Sequence, residues 1–202
     1  MRRLLLFLLV VPALAGCGSV AAVSLPPAHA ASPQRADLNW VESIGDQSGR
    51  LVFGVRSFEV TKTGWQASIS ITNDTPVPFA IGVAKLRESL EFGLMLFSTG
   101  AHSELEDRNA KRSLPAIRPA ETYVPALPPQ LEAHKAWTGT ISAGGPVAAG
   151  TWARVVFGAL LPVSVSTKSG TKPEPTLPDA LRKANVGSGV VWITDHAYQL
   201  KR

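Results

Sequence analysis

The chain has 202 residues, of which 45% are hydrophobic and 17% are charged. Disordered proteins combine low hydrophobicity with high net charge, so this composition excludes a disordered protein. The single cysteine excludes a disulfide framework and a zinc site built from cysteines. The formal net charge is +5, but the basic residues are scattered along the chain, which argues against a nucleic-acid-binding protein.

The first residues have the pattern of an export signal. Arg2 and Arg3 form a positive start, and residues 4–15 form an apolar stretch of about a dozen residues. A membrane-spanning helix needs ~20 such residues, so we predict a signal peptide instead. Its removal takes away two arginines and leaves 18 basic against 15 acidic residues, a mature charge of +3.

The segment Leu14-Ala15-Gly16-Cys17 follows directly and resembles the lipobox of bacterial membrane lipoproteins. The resemblance implies cleavage before Cys17 and lipid attachment at Cys17, as a diacylglyceryl thioether on its sulfur, usually with an N-acyl chain such as palmitate. It also implies a bacterial source and an extracytoplasmic location, anchored to a membrane by this lipid. The alternative is an ordinary secretory signal followed by a chance cysteine.

Three parts follow from this pattern: a lipoprotein signal peptide over residues 1–16, the lipidated Cys17 with a disordered tether to residue 36, and a folded domain over residues 37–202. Residues 18–36 are mostly Ala, Ser, Val, Gly and Pro without an amphipathic period, which is typical of a disordered linker. About twenty such residues would lift the domain by up to ~60 Å from the membrane.

Alternation with a period of two dominates the domain. In residues 65–72 every odd position is apolar and every even one polar, which predicts a strand with one buried face. Residues 73–76 predict a turn, because Asn and Asp tolerate turn geometry and Pro fixes φ. Further strands are predicted over residues 52–61, 77–83, 92–97, 121–124, 131–142, 151–160 and 189–200. A helix over residues 85–97 is the alternative for one of them.

Two longer segments interrupt this rhythm, a polar loop over residues 99–120 and a Pro-containing stretch over residues 164–188 with a helical turn at 180–183. About eight strands without a long helical pattern predict an all-β fold, an antiparallel β-sandwich or a barrel. Residues 71–76, together with residues 131–139 and 150–158, resemble the immunoglobulin-like sandwich domains of bacterial surface lipoproteins. That resemblance implies an immunoglobulin-like sandwich without its inter-sheet disulfide.

The sequence shows no catalytic motif. A Gly-x-Ser-x-Gly elbow and a His-Glu-x-x-His helix are both missing, and we expect no cofactor. The glycine-rich residues 143–150 lack the Gly-Lys-Ser/Thr ending of a phosphate loop and predict a hairpin turn.

Three groups of polar or aromatic residues are weaker candidates. His102, His134 and His196 lie on different predicted elements, and their spacing leaves open whether they converge on a metal. The acidic cluster of Glu104, Glu106 and Asp107 offers ligands for calcium or groups for acid–base catalysis. Basic neighbours follow at once, so we expect a self-neutralised surface. The five tryptophans are expected mainly in the core: Trp40, Trp65, Trp137, Trp152 and Trp192.

These observations favour a lipid-anchored binding or structural module of a bacterial cell envelope, without catalytic activity. Its partners would be the membrane, through the lipid on Cys17, and an unidentified envelope protein or cell-wall ligand. The alternatives are an envelope inhibitor or accessory subunit of a protease or cell-wall enzyme, and a hydrolase with an unrecognised site.

Overall fold

The computed structural model describes residues 29–81, 91–163 and 176–202. The predicted signal peptide, Cys17 and most of the predicted tether lie outside the described residues. So do the last two residues of the strand predicted over 77–83 and half of the segment predicted over 164–188.

Twelve strands and two α-helices lie in the described part of the chain. The strands are β1 (Gln34–Asp46), β2 (Gly49–Val60), β3 (Gly64–Asp74), β4 (Phe79–Ile81), β5 (Gly93–Phe97), β6 (Arg118–Pro119), β7 (Thr122–Val124), β8 (Gln130–Leu131), β9 (Lys135–Gly144), β10 (Trp152–Pro162), β11 (Val190–Ile193) and β12 (Tyr198–Gln199). The helices are α1 (His102–Ala110) and α2 (Asp179–Lys183), and a short 3₁₀ helix covers Val186–Ser188.

The first sheet has five antiparallel strands in the order β1-β2-β3-β9-β7. In β3 the odd residues from Trp65 to Ile71 are buried and the even ones face outward, which confirms the predicted strand and its register. Two tight turns join β1 to β2 and β2 to β3, and the long strand β9 returns beside β3 over its whole length.

The second sheet is built around β10, whose residues from Ala153 to Leu160 are all buried. β5 and β4 pair with one edge of β10, and β11 and β12 pair with its other edge. β6 pairs with β5 and β8 pairs with β4, so this antiparallel sheet holds seven strands. A strand buried on both faces reads as a continuous apolar run, as β10 does.

The two sheets pack face to face around one core, so the fold is an all-β antiparallel sandwich, as predicted. Phe53 of the first sheet contacts Phe157 of the second, with ring centroids 5.1 Å apart, and stacks on Trp192 at 5.2 Å. On the far side of the second sheet, α1 covers a smaller apolar cluster through Leu105, which packs with Met95 and Val156.

The strand count was predicted too low, for local reasons. The strand predicted over residues 131–142 divides into β8 and β9 at His134, whose φ of 56° turns the chain between the two sheets. The strand predicted over residues 189–200 divides into β11 and β12 around the loop at residues 194–197. The predicted polar loop over residues 99–120 contains α1, and the strand β5 covers Gly93–Phe97 of the segment for which a helix was the alternative.

The folded domain also begins earlier than residue 37. β1 starts at Gln34, Ala31 is buried in the core, and Ala30 forms a β-bridge with Ala148. The last residues of the predicted tether therefore belong to the sandwich. Small alanine side chains fit against the β9–β10 connection, where a larger residue would need more space.

Candidate functional site

A polar concavity of about 530 Å³ opens on the outer face of the first sheet. It is lined by side chains of four neighbouring strands: Arg35, Asp37, Arg56, Ser57, Glu59, Gln66, Ser68 and Thr140. All of these groups are polar, whereas the opposite face of the same strands forms the core. The concavity is therefore a candidate site for a polar ligand.

Two β-bulges in adjacent strands create this concavity. The register of β1 against β2 shifts between Asp37 and Trp40, and that of β2 against β3 shifts between Val55 and Ser57. Asn39 takes a φ of 51°, in the left-handed region that Asn tolerates better than most residues. Arg56 is the additional residue of β2 at this point, and its side chain is exposed. Bulges bend a strand and redirect a side chain, which here turns the guanidinium of Arg56 toward solvent at the rim.

The charges in the concavity are partly engaged. The Glu59 carboxylate accepts a hydrogen bond of 2.9 Å from Gln66 Nε2 and lies 3.6 Å from Arg35 Nη1. Within the described part of the chain, Arg56 and Asp37 make no side-chain hydrogen bond or ion pair. One cation and one carboxylate thus remain available at the rim, above the hydroxyl groups of the floor. Such a set can bind a ligand that carries hydroxyl, amide and carboxylate groups.

The floor of the concavity and the surface beside it carry small hydroxyl side chains. Ser68 lies opposite Thr140, and Ser70 lies opposite Thr138, on the outer face of β3 and β9. Short side chains lose little rotamer entropy on binding, so a ligand can extend over this surface at low entropic cost.

A second polar feature, which sequence reasoning missed, is a fully buried arginine. Arg154 is the third residue of β10 and is 0% exposed. Its guanidinium lies over the Phe97 ring, 5.2 Å from the ring centroid. It donates to four backbone carbonyls of two loops: Gly100 (3.2 Å), Ala101 (2.9 Å), Thr194 (2.7 Å) and Asp195. A lone arginine within an apolar strand was the sequence signal, because a buried charge requires partners of this kind.

Glu42 holds one of these loops from the other side. Its carboxylate accepts a hydrogen bond of 2.7 Å from Trp192 Nε1 and lies 2.7 Å from His196 Nδ1. It also accepts hydrogen bonds from the backbone N–H groups of Asp195 and His196, at 3.0 and 3.1 Å. Burial acts to raise the pKa of Glu42, but these hydrogen bonds outweigh it and lower that pKa. Burial lowers the pKa of Arg154, an effect that the charges of Asp195 and Glu42 oppose. Both groups therefore act as a clamp on residues 194–196.

The three histidines considered as metal ligands do not converge. His102 contacts Asp195 at 3.3 Å, His196 stacks on Trp40 with ring centroids 5.4 Å apart, and His134 lies beside Asp74 at the other end of the molecule. Among the residues with described positions, no three His, Cys, Asp or Glu side chains form a group that could hold a metal ion.

The acidic cluster lies on α1. Glu104 pairs with Arg108 at 2.8 Å and Asp107 pairs with Lys111 at 3.5 Å, which confirms the predicted self-neutralisation for these two carboxylates. Burial acts to raise the pKa of Glu104, but hydrogen bonds from Thr99, Arg108 and the backbone of Ser98 outweigh it and hold the pKa at about 2. The role of Glu104 is therefore structural, since it ties α1 to the preceding loop.

Two of the tryptophans are buried, as expected, and three are only half-buried. Trp65 and Trp137 lie in the core, whereas Trp40 and Trp192 pack against its edge and Trp152 packs beside α1. None of them lines the polar concavity.

Comparisons with known proteins return nothing: no family model, no curated protein and no solved structure matches this chain. No helix in the described ranges is long and apolar enough to cross a membrane.

Proposed function

We propose that this protein is a lipid-anchored, extracytoplasmic binding module of a bacterial cell envelope, without a catalytic role. The observation that carries the proposal is the motif Leu14-Ala15-Gly16-Cys17 directly after a positively charged, apolar leader. Two or three acyl chains on Cys17 would hold the chain at a membrane, whereas one chain gives only marginal binding.

The ligand site in this proposal is the polar concavity on the outer face of the first sheet. Its rim offers the guanidinium of Arg56 and the carboxylate of Asp37, and its floor offers the hydroxyl groups of Ser68 and Thr140. Cell-wall glycopeptide carries the complementary groups, namely sugar hydroxyls, amides and carboxylates. The charge-assisted hydrogen bond between Arg56 and a ligand carboxylate is the strongest single contact that this surface can offer.

Lipidation is tested by the mass of the mature chain purified from the membranes of the bacterium that produces it. We expect cleavage before Cys17 and a mass increase equal to two or three acyl chains. The Cys17→Ser chain is expected to lose the acyl groups and to leave the detergent phase on phase separation. A mature wild-type chain without acyl groups would contradict the anchor.

Ligand binding is tested by cosedimentation of the purified chain with isolated peptidoglycan sacculi. Arg56→Ala is expected to weaken binding about tenfold or more, because a hydrogen bond to a charged group is worth roughly 1.5–3 kcal/mol. Arg50→Ala is the matched control: Arg50 is also an exposed arginine of β2, but it pairs with Asp74 outside the concavity. Equal binding of wild type and Arg56→Ala would contradict this site. Recovery of a protease that the chain inhibits at stoichiometric amounts would support the inhibitor hypothesis instead.

A further inference from the structure

The described residues at the two ends of the sandwich differ in charge. The end at which the described chain begins, called here the N-terminal end, consists of residues 29–33, 61–64, 144–151 and 200–202. Backbone hydrogen bonds join these segments: Ala31 N–H donates to Val147 at 2.8 Å, Ser32 N–H to Lys201 at 3.3 Å, and Gly145 N–H to Thr63 at 2.9 Å. The segments therefore form one continuous surface.

The described residues of the N-terminal end carry four cationic side chains and one carboxylate side chain. Lys62, Lys201 and Arg202 are exposed, and Arg118 reaches this end because its Nη2 lies 3.5 Å from the position a Cβ on Gly145 would take. The carboxylate is Glu121, which accepts a hydrogen bond from the backbone of Gly144 at 3.1 Å.

At the opposite end the described residues balance in charge. This end consists of the β1–β2 turn, the residues that follow β3, the turn before β9, and α2, whose N-terminal neighbour Pro178 contacts Gly49. It carries four cations and four carboxylates: Arg50, Lys135, Arg182 and Lys183, with Asp46, Asp74, Glu132 and Asp179. Among the residues that the structure describes, the excess of positive charge therefore lies at the N-terminal end.

The length of chain before the sandwich limits how far this end can lie from Cys17. Eleven residues, 18–28, separate Cys17 from His29, the first described residue. Twelve peptide steps span at most about 40 Å when fully extended. That reach is about the length of β1, whose 13 residues rise by roughly 3.3 Å each. An anchor on Cys17 therefore holds the N-terminal end within about 40 Å of the membrane, and the tether is long enough to let that end touch the surface.

We propose that the N-terminal end docks on the anionic headgroups of the membrane that carries the anchor, an inference that rests on the lipid anchor proposed above. An anionic lipid surface attracts basic side chains, and each of them strengthens binding about fivefold. The attraction decays within a Debye length of the surface. The opposite end lies roughly 40 Å away, the length of β1, and its cations are too distant to contribute. The docked sandwich stands upright, with its strands directed away from the membrane.

The test uses the chain from residue 17 onward with Cys17→Ser, so that no acyl chain contributes to binding. This chain retains both sheets and the whole described core. Its partition is measured by sedimentation with vesicles of phosphatidylcholine, alone or with phosphatidylglycerol, at low and high salt. We expect binding only to the phosphatidylglycerol vesicles and only at low salt.

Matched variants locate the contact. Lys62→Ala/Lys201→Ala is expected to weaken binding to the anionic vesicles by about fivefold for each lysine removed. Lys135→Ala/Lys183→Ala removes the same charge from the opposite end and is expected to leave binding unchanged. Equal losses in the two variants, or equal binding to neutral vesicles, would overturn the proposal.

Orientation has its own readout, because the Cys17→Ser chain has no other cysteine. A polarity-sensitive fluorophore on Thr63→Cys, in the β2–β3 turn, is expected to shift to the blue with anionic vesicles. The same fluorophore on Gln47→Cys, in the β1–β2 turn of the opposite end, is expected to stay unchanged; the reverse result, or no shift at either position, would overturn the proposal. None of these results depends on lipidation, which the mass of the native chain tests separately.

Discussion

Replacement of the buried Arg154 is the most direct test of how the second sheet is held to its loops. In Arg154→Ala the four carbonyls bound by the guanidinium lose their donor. The carbonyl of Thr194 is fully buried, and leaving such a group unpaired costs roughly 1–3 kcal/mol. The other three carbonyls are partly buried, so that water can replace the donor at about 0.5 kcal/mol each.

The four unpaired carbonyls together lower the free energy of unfolding by about 3.5 kcal/mol. Lost packing on Phe97 increases this loss, whereas removal of a buried charge decreases it. We therefore expect a loss of about 2–5 kcal/mol in the free energy of unfolding for Arg154→Ala. Arg154→Met, which keeps the apolar stem, is expected to lose slightly less.

The assay is urea denaturation at pH 7, followed by tryptophan fluorescence and circular dichroism. Arg56→Ala is the control, because its exposed side chain should change stability by about 0.5 kcal/mol at most. A loss below about 1 kcal/mol for Arg154→Ala would refute the reasoning, since it would mean that the two loops do not depend on the guanidinium.

Three further predictions concern the first sheet and α1. Ile69→Ala is expected to cost ~2–5 kcal/mol in urea denaturation and Ser68→Ala about 0.5 kcal/mol or less; equal losses would contradict the register of β3. Gly139→Ala places a methyl group 2.5 Å from the Trp137 ring and is expected to cost ~1–3 kcal/mol by overpacking, so an unchanged denaturation midpoint would contradict this contact. The pKa of Glu104 is about 2, below its unfolded value, so its stabilising contribution is present above pH 4.5 and is lost as pH falls through 2. Glu104→Gln is expected to flatten stability over this pH range, and an unchanged pH profile would contradict the role of its carboxylate.

The strands predicted correctly are those whose burial follows from local pattern. In β3 the alternation from Trp65 to Ile71 leaves only one way to face a core, and the uninterrupted apolar run in β10 is typical of a strand covered on both sides. β1 was not predicted as a strand because its inward-facing set includes the charged Glu42 between Trp40 and Ile44, which breaks the apolar alternation.

Features that depend on contacts between distant segments could not be read from the sequence. α1 buries only Leu105, so it carries no apolar period. Asn73 makes the predicted turn contact, because its Oδ1 accepts from the backbone N–H of Thr75 at 3.1 Å. It is also fully buried, and its Nδ2 donates to the carbonyls of Val77, Leu131 and Glu132 at 2.8, 3.3 and 3.0 Å. Leu131 and Glu132 lie 58 and 59 residues away, and no local pattern indicates them as acceptors.

The candidate site was missed for a related reason. The concavity arises from register shifts in β1 and β2, which place Arg56 and Asp37 on one rim, and such shifts depend on the pairing of whole strands. The anchor has the opposite character, because Cys17 is indicated by four consecutive residues and their position after a leader. The fold class was therefore predictable from periodicity, whereas the candidate site depends on how whole strands pair in three dimensions.

The proposed ligand site in the concavity and the proposed membrane contact of the N-terminal end constrain each other. If the N-terminal end rests on the membrane, the strands of the first sheet point away from it and their outer face stands upright. The concavity then lies in the part of the sheet near the membrane, because Arg35 pairs with Glu59 one residue beyond the Gln34–Val60 pair that begins β1. A ligand that reaches it must extend close to the membrane surface. For a ligand small enough to reach the membrane surface, binding to the purified chain but not to the membrane-anchored chain would mean that the outer face of the first sheet lies against the membrane. That result would contradict the upright orientation while leaving the concavity as the ligand site.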